Sequence, residues 1–366
     1  MNRRVHRRWA TRTAIAAVLA LSVAACGGGA GTDAASPQQP EGSTGDPGAY
    51  DTSKPLKMKV GLQALVIQTS YPRLADALGY FEDENLEVEL LTGEVTSNNV
   101  QALIGGSLDA YLGGPEALAA NEQGADLIFV VGAANNSIWD VVTSPEITDL
   151  KQLEGKAYGV SSLASISTAA ARAGLEAKGV DTSKIKFVAA GGTSKRYAAL
   201  KAGQVQGATL GIPQNYQAED QDGFKNFGNT SVDLGAPTIN ASTLTVSKKW
   251  AEANEEALVR FLRAYQRVIN DLYDPAMKDK LTEVIAAQLK VPEKYAARGI
   301  EDLFLDNDGK DPAVGKDGRT DPESLQNSAD AFVEIGALKS KIDPTKYIDE
   351  SYLERAQQTL EDSPPK

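Results

Sequence analysis

The chain has 366 residues, with 49 Asp and Glu against 37 Lys and Arg, one histidine and one cysteine, giving a formal net charge of −12. Such an acidic balance repels a phosphate backbone and argues against nucleic acid as a partner. One thiol cannot close an intramolecular disulfide.

The chain opens on a basic head, Arg3, Arg4, Arg7, Arg8 and Arg12, followed by an uncharged apolar run from Ala14 to Ala25. That run is too short for a permanent membrane span and fits the central region of a secretory signal, so residues 1–25 read as a signal peptide. Cys26 follows two small residues, and the order Val23-Ala24-Ala25-Cys26 resembles the lipobox of bacterial lipoproteins. The resemblance implies that the Cys26 thiol is acylated and becomes the new N-terminus. A buried acyl methylene contributes about 0.8 kcal/mol, so the lipid would hold a soluble domain at the outer face of the cell membrane. Removing residues 1–25 takes away five arginines, no acid and His6, leaving a net charge of −17 and no histidine. Ser-His-Asp and Cys-His catalysis and zinc sites of Cys and His are thereby excluded for the mature chain. Residues 26–55 carry few large apolar side chains and read as a flexible tether.

The folded part starts with a strand at 57–62, a helix at 72–78 ended by Gly79, and a strand at 86–91 that alternates apolar and acidic residues. A helix at 96–104, Gly105-Gly106, a strand at 108–112, a helix from Pro115 and a strand at 127–131 complete a first α/β unit. The pattern then recurs. Strands at 156–160, 185–189 and 207–210, with a helix at 165–178 between the first two, follow the first set at an offset of 97 to 99 residues. Gly191-Gly192-Thr193 answers Thr92-Gly93-Glu94, and Gly211-Ile212-Pro213 answers Gly114-Pro115. Two such units predict two lobes facing each other across a cleft. A further strand at 241–247 precedes long amphipathic helices, the first marked by Leu258, Phe261, Leu262, Tyr265, Val268, Ile269 and Leu272 at helical spacing. Their apolar face needs a partner, which places them on the first lobe. The expected chain crossings lie near 142 and 240, with residues 56–142 and 240–366 in one lobe and 143–239 in the other.

Gly79-Tyr80-Phe81, Leu86-Glu87-Val88, the run from Ala102 to Ala110, and Asp149-Leu150-Lys151-Gln152-Leu153-Glu154-Gly155-Lys156 together resemble the substrate-binding proteins of nitrate, sulfonate and taurine type ABC transporters. That family also includes members for thiamin precursors and riboflavin. The resemblance covers roughly 57–275. It implies a type II periplasmic-binding-protein fold, two three-layer α/β lobes joined by a two-strand hinge, here with extra C-terminal helices. It also implies capture of a small-molecule solute, delivery to an ABC transporter permease, a monomeric soluble part, no cofactor and no metal. The polar loop at 306–321 and the helices around it have no counterpart in the resemblance.

Aligned with the family's cleft, the candidate ligand-binding residues are Gln63, Gln68 and Thr69 after the first strand, Gly93 and Glu94 after the second, and Gly114 and Glu116 after the third. The second lobe offers Ser161, Ser162, Ser165, Ser167, Thr168 and Thr193. Serines at a helix start either help backbone donors bind an anion or simply cap the helix. Trp139, near the first crossing, either stacks on a flat ligand with Tyr111, Tyr197 or Tyr216 opposite, or packs the hinge. Lys195 and Arg196 are the cations nearest the second rim. The two carboxylates at the mouth would penalise a ligand without donors, which favours a pyrimidine-like heterocycle over nitrate, sulfonate or taurine. A tethered hydrolase using Glu94 and Glu116 is the enzymatic alternative.

Overall fold

Charge pairing marks the outer edge of the first sheet. In β1 (Leu56–Leu62) and β2 (Leu86–Thr92) the register sets Lys57 opposite Glu87 and Lys59 opposite Glu89, with nitrogen–oxygen distances of 2.6 and 3.2 Å. Both pairs are exposed and add little stability. Their charges do, however, guard an edge strand that would otherwise template pairing with another chain. On the inward side, Met58, Val60 and Leu62 are almost fully buried.

The computed structural model describes residues 52–63, 66–93, 96–305 and 314–364. The expected signal peptide, Cys26, residues 26–51 of the tether, Glu94 and residues 306–313 of the polar loop lie outside the described residues.

After β1 the first lobe continues through α1 (Tyr71–Ala77), α2 (Tyr80–Asp83), β2, α3 (Thr96–Ile104), β3 (Ala110–Gly113), α4 (Ala117–Glu122) and β4 (Leu127–Ala134). The second lobe holds β5 (Asp140–Thr143), β6 (Ala157–Val160), α5 (Ile166–Ala177), β7 (Lys186–Ala189), α6 (Thr193–Lys201), β8 (Gly207–Leu210), α7 (Gln214–Asp222) and β9 (Lys225–Asn229). The chain then returns as β10 (Ser242–Ser247), α8 (Lys248–Ala253), α9 (Glu255–Leu272), α10 (Lys278–Leu289), α11 (Glu293–Ile300), α12 (Pro322–Glu334) and α13 (Ser351–Asp362). Pro115, expected to open a helix, instead belongs to the turn that precedes α4.

The two sheets run β2-β1-β3-β10-β4 and β7-β6-β8-β5-β9. Each has three parallel strands followed by an antiparallel fourth, β10 beside β3 and β5 beside β8. The repeat expected from the spacing is therefore a repeat of topology, and each antiparallel strand is the first one laid down after the chain has changed lobes.

The lobe boundary differs from the expected 142/143. Val141 and Val142 pair with Thr209 and Ala208 of β8, so β5 belongs to the second sheet and the first crossing is 135–139. No turn residue interrupts the apolar pair Val141-Val142, and sheet pairing claims it. The return crossing is 230–241. Both crossings are irregular segments instead of the expected pair of strands. They are tied together where Thr230 N–H donates to Trp139 O at 3.1 Å and Asn229 Nδ2 donates to Ser137 O at 2.7 Å.

Helix α9 fills the first lobe as its spacing predicts. Tyr265 packs on Tyr71 of α1 with centroids 5.0 Å apart, and Phe261 stacks on Phe81 of α2 at 5.3 Å. Burying each such ring contributes about 1.5–3 kcal/mol. Beside them Arg263 Nε donates to both carboxylate oxygens of Glu84 at 2.9 Å, with both side chains buried. Helix α12 does more than cover the first lobe. Its Leu325, Ala329 and Phe332 share an apolar cluster with Ile166, Ala169 and Ala170 of α5, while Asn327 and Ser328 donate to Thr238 O and Asn240 O of the return crossing. The C-terminal segment thus adds a third link between the lobes.

Candidate functional site

The loops that leave the carboxyl ends of parallel strands are where open α/β sheets collect ligands. Here the loops after β1 and β3 meet those after β6, β7 and β8, and the two lobes touch along a seam. Ile67 N–H donates to Ile212 O across it at 3.2 Å. Gly211 is required there, since a Cβ on it would lie 2.6 Å from Val66 Cγ1.

The centre of the seam is lined by Gln63, Ile138, Trp139, Ser161, Gly192, Thr193 and Arg196. Gln63 is positioned by its Oε1, which accepts the Gly114 N–H at 2.8 Å. Trp139 is 3% exposed and belongs to the apolar cluster that spans both lobes, so it packs the hinge while lining the seam. Arg196 sits one turn into α6 and is 2% exposed. Its Nε donates to Thr209 O at 2.7 Å, one terminal nitrogen to Gly191 O at 3.0 Å and the other to Thr193 Oγ1 at 3.0 Å. All three acceptors are neutral. Burial pulls the guanidinium pKa down from 12.5 to about 10, against a smaller opposing effect of Tyr158. A buried cation held by neutral acceptors keeps a positive charge that an anion can offset.

The serine cluster resolves towards structure. Ser161, Ser165 and Ser167 hydroxyls bond one another at 2.7, 2.8 and 2.9 Å, and Ser162 O accepts from Ser165 Oγ at 2.7 Å and Thr168 Oγ1 at 2.6 Å. Of these, Ser161 alone lines the seam centre, and Ser162 faces a cavity to one side. The anion position at the start of α5 is taken by the protein itself: Glu116 Oε1, from the first lobe, accepts the Ile166 N–H at 3.2 Å. Burial raises the Glu116 pKa from 4.5 to about 7, opposed by the hydrogen bond from Ile166. Gly114 makes room for this carboxylate, since a Cβ there would meet Glu116 Oε2 at 2.4 Å and Ile166 Cγ2 at 2.9 Å.

Gln68 and Thr69 are buried in the 3-10 turn Ile67–Thr69. Gln68 faces a second cavity, on the hinge side, which it shares with Tyr216 and Asp140. Two aromatic candidates, Tyr197 and Tyr216, lie away from the seam centre. Tyr197 follows Arg196 by one residue, a rotation of about 100° around a helix, and so leaves the seam; its hydroxyl donates to Asp222 and its ring packs on Phe224. Tyr216 lines the hinge-side cavity and not the seam centre. Its hydroxyl donates to Asp302 at 2.6 Å, and the Arg298 guanidinium lies 3.9 Å from its ring centroid. It clasps the two lobes through residues of the C-terminal segment, which no sequence signal announced. Tyr111 is fully buried in β3. Lys195 is exposed, whereas its neighbour Arg196 is buried, so only the tertiary structure distinguishes the two rim cations. Among the described residues no group of three His, Cys, Asp or Glu could hold a metal ion, and no helix is long and apolar enough to cross a membrane.

No curated protein sequence matches the chain. Solved structures do match in shape. The nitrate-binding protein NrtA from Synechocystis PCC 6803 superposes with a TM-score of 0.67 at 15% identity, covering 83% of this chain and 89% of that one. The alkanesulfonate-binding protein SsuA from Xanthomonas axonopodis pv. citri, bound to MOPS, gives 0.63 at 17% identity, covering 81% and 99%. The aliphatic sulphonate binding protein SsuA from Escherichia coli gives 0.60 at 18% identity, covering 81% and 92%. At these identities the likeness establishes the fold, a type II periplasmic-binding-protein fold with extra C-terminal helices. The sequence profile of the NMT1/THI5 like family matches residues 72–276, more than half of the chain, and the chain belongs to that family.

Proposed function

We propose that this protein is an extracytoplasmic solute-binding protein of an ABC importer, that it closes its two lobes on a small anion and that it carries out no chemistry on it. The observation that carries this reading is Arg196, a seam-lining guanidinium 2% exposed whose three hydrogen bonds all end on neutral acceptors. A cation kept out of water without a counter-charge is costly, and an anion arriving at the seam offsets that cost. This favours the nitrate and sulfonate class over the pyrimidine-like heterocycle that the mouth carboxylates suggest from sequence. Glu116 is already engaged with Ile166, and Glu94 lies outside the described residues. The names of the structural relatives, nitrate-binding and alkanesulfonate-binding, support the same class. A hydrolase would need two acids placed together, and Glu116 is committed to the start of α5. Delivery to a membrane permease and anchorage through a lipid on Cys26 complete the reading.

Calorimetric titration of the mature protein with butanesulfonate, taurine, nitrate and cytosine tests it. Saturable binding of one of the anions is expected. Micromolar binding of cytosine with all three anions silent would overturn the assignment of solute class.

A further inference from the structure

Beside the seam, and sharing no lining residue with its centre, lies a cavity of about 570 Å³. Its walls come from three parts of the molecule: Val100 and Ile104 on α3 with Ala120 on α4, Ala164 from the second lobe, and Phe332 on α12. The volume is that of a small-molecule site, and the lining combines an apolar wall with the polar side chains of Gln101, Glu116, Gln123 and Ser162. At its mouth Ile104 is 46% exposed, and Leu163, between the lining residues Ser162 and Ala164, is 57% exposed. One carboxylate reaches the cavity, that of Glu116. Its Oε1 is used by the Ile166 N–H, but its Oε2 is shielded from solvent and accepts no hydrogen bond from another residue. A shielded carboxylate oxygen lacking a donor is expensive, and here a ligand can supply the donor.

We propose that this cavity is a binding site for a protonated amine carried on an apolar body, with the ammonium on Glu116 Oε2 and the body along α3, α4 and Phe332. Ammonium suits the site better than a neutral donor because it meets a carboxylate in apolar surroundings, where charge-assisted bonds are strong. An anion is excluded by the same carboxylate. Because Ser162 and Ala164 belong to the second lobe and the other walls to the first and to α12, an occupant is held only when the lobes are together. Amine binding therefore favours closure through its differential contacts with the closed state.

Phenethylammonium is a suitable probe, with phenethyl alcohol and 3-phenylpropionate as controls of similar shape, titrated calorimetrically into the whole mature protein at mildly alkaline pH. The ammonium should bind at one site per chain, the alcohol about tenfold or more weakly, and the carboxylate not at all. Glu116→Gln should weaken the ammonium about tenfold or more. Ala120→Leu, which fills the cavity from a partly exposed helix position, should abolish binding without touching Glu116. Arg196→Gln should leave amine binding as it is, so failure of the anion reading and failure of this one are separate results. Absence of ammonium binding, equal binding of ammonium and carboxylate, or unchanged binding in folded Ala120→Leu protein would each overturn the proposal.

Discussion

Replacing Arg196 with methionine keeps an unbranched apolar stem, shortens the side chain and removes its charge and all three of its hydrogen bonds. Burial lowers the guanidinium pKa from 12.5 to about 10, which corresponds to a cost of about 3 kcal/mol for keeping the charge inside. That relief is offset by the loss of three charge-assisted bonds of about 1.5–3 kcal/mol each. The ligand-free variant should therefore be less stable than the parent by roughly 2–5 kcal/mol and still folded. Ligand response is the diagnostic. At an anion concentration of 100 times Kd the parent should gain about 2.7 kcal/mol, a rise in Tm of several degrees. Removing a buried hydrogen-bonded partner of that anion costs about 2–5 kcal/mol, or roughly one and a half to three and a half orders of magnitude in Kd. Arg196→Lys, which keeps the charge and loses the fork, should fall between the two. The assay is thermal unfolding followed by circular dichroism across an anion titration, with calorimetry for Kd. A folded methionine variant whose anion titration overlays that of the parent would refute the role given to Arg196.

Glu116 has a folded pKa of about 7 against 4.5 unfolded, so its contribution to stability is complete below pH 4.5 and is lost as pH rises through about 7, by up to about 3 kcal/mol. Urea unfolding at pH 5 and pH 8 should show that loss in the parent and a flatter dependence in Glu116→Gln; equal slopes would sink the assignment. Tyr216→Phe removes the hydroxyl from Asp302 and should weaken the closed state by about 1.5–3 kcal/mol, visible in small-angle scattering as less compaction on ligand saturation, with unchanged curves counting against the clasp. Arg263→Leu leaves Glu84 buried without its partner and should cost about 3–5 kcal/mol in chemical unfolding, a cost that Glu84→Gln in the same chain should partly restore. Cys26→Ser should release the mature protein from membranes of a bacterial host, and unchanged retention on fractionation would remove the lipid anchor.

Local pattern alone located most of the elements. The helical spacing from Leu258 to Leu272 placed α9, the alternation in Leu86–Thr92 placed β2, and the recurring strand–turn–helix intervals showed that one topology is laid down twice. These are short-range properties, because burial period and turn residues act within one element. What the sequence did not carry was set by contacts between residues far apart. The lobe boundary moved from 142 to 135–139 because β5 finds its partners in β8, some sixty-five residues later. Arg196 and Lys195 are adjacent and chemically alike, yet one is buried and the other exposed, because a helix turns them to different surroundings. Tyr197 and Tyr216 were drawn from the cleft to Asp222 and to the Asp302–Arg298 pair. Glu116 has its place at the start of α5 through a contact with a residue fifty positions later, in the other lobe. A side chain's type and its position in an element are written locally, but the face it turns to, the partner it finds and the charge it can keep depend on which distant surface is packed against it.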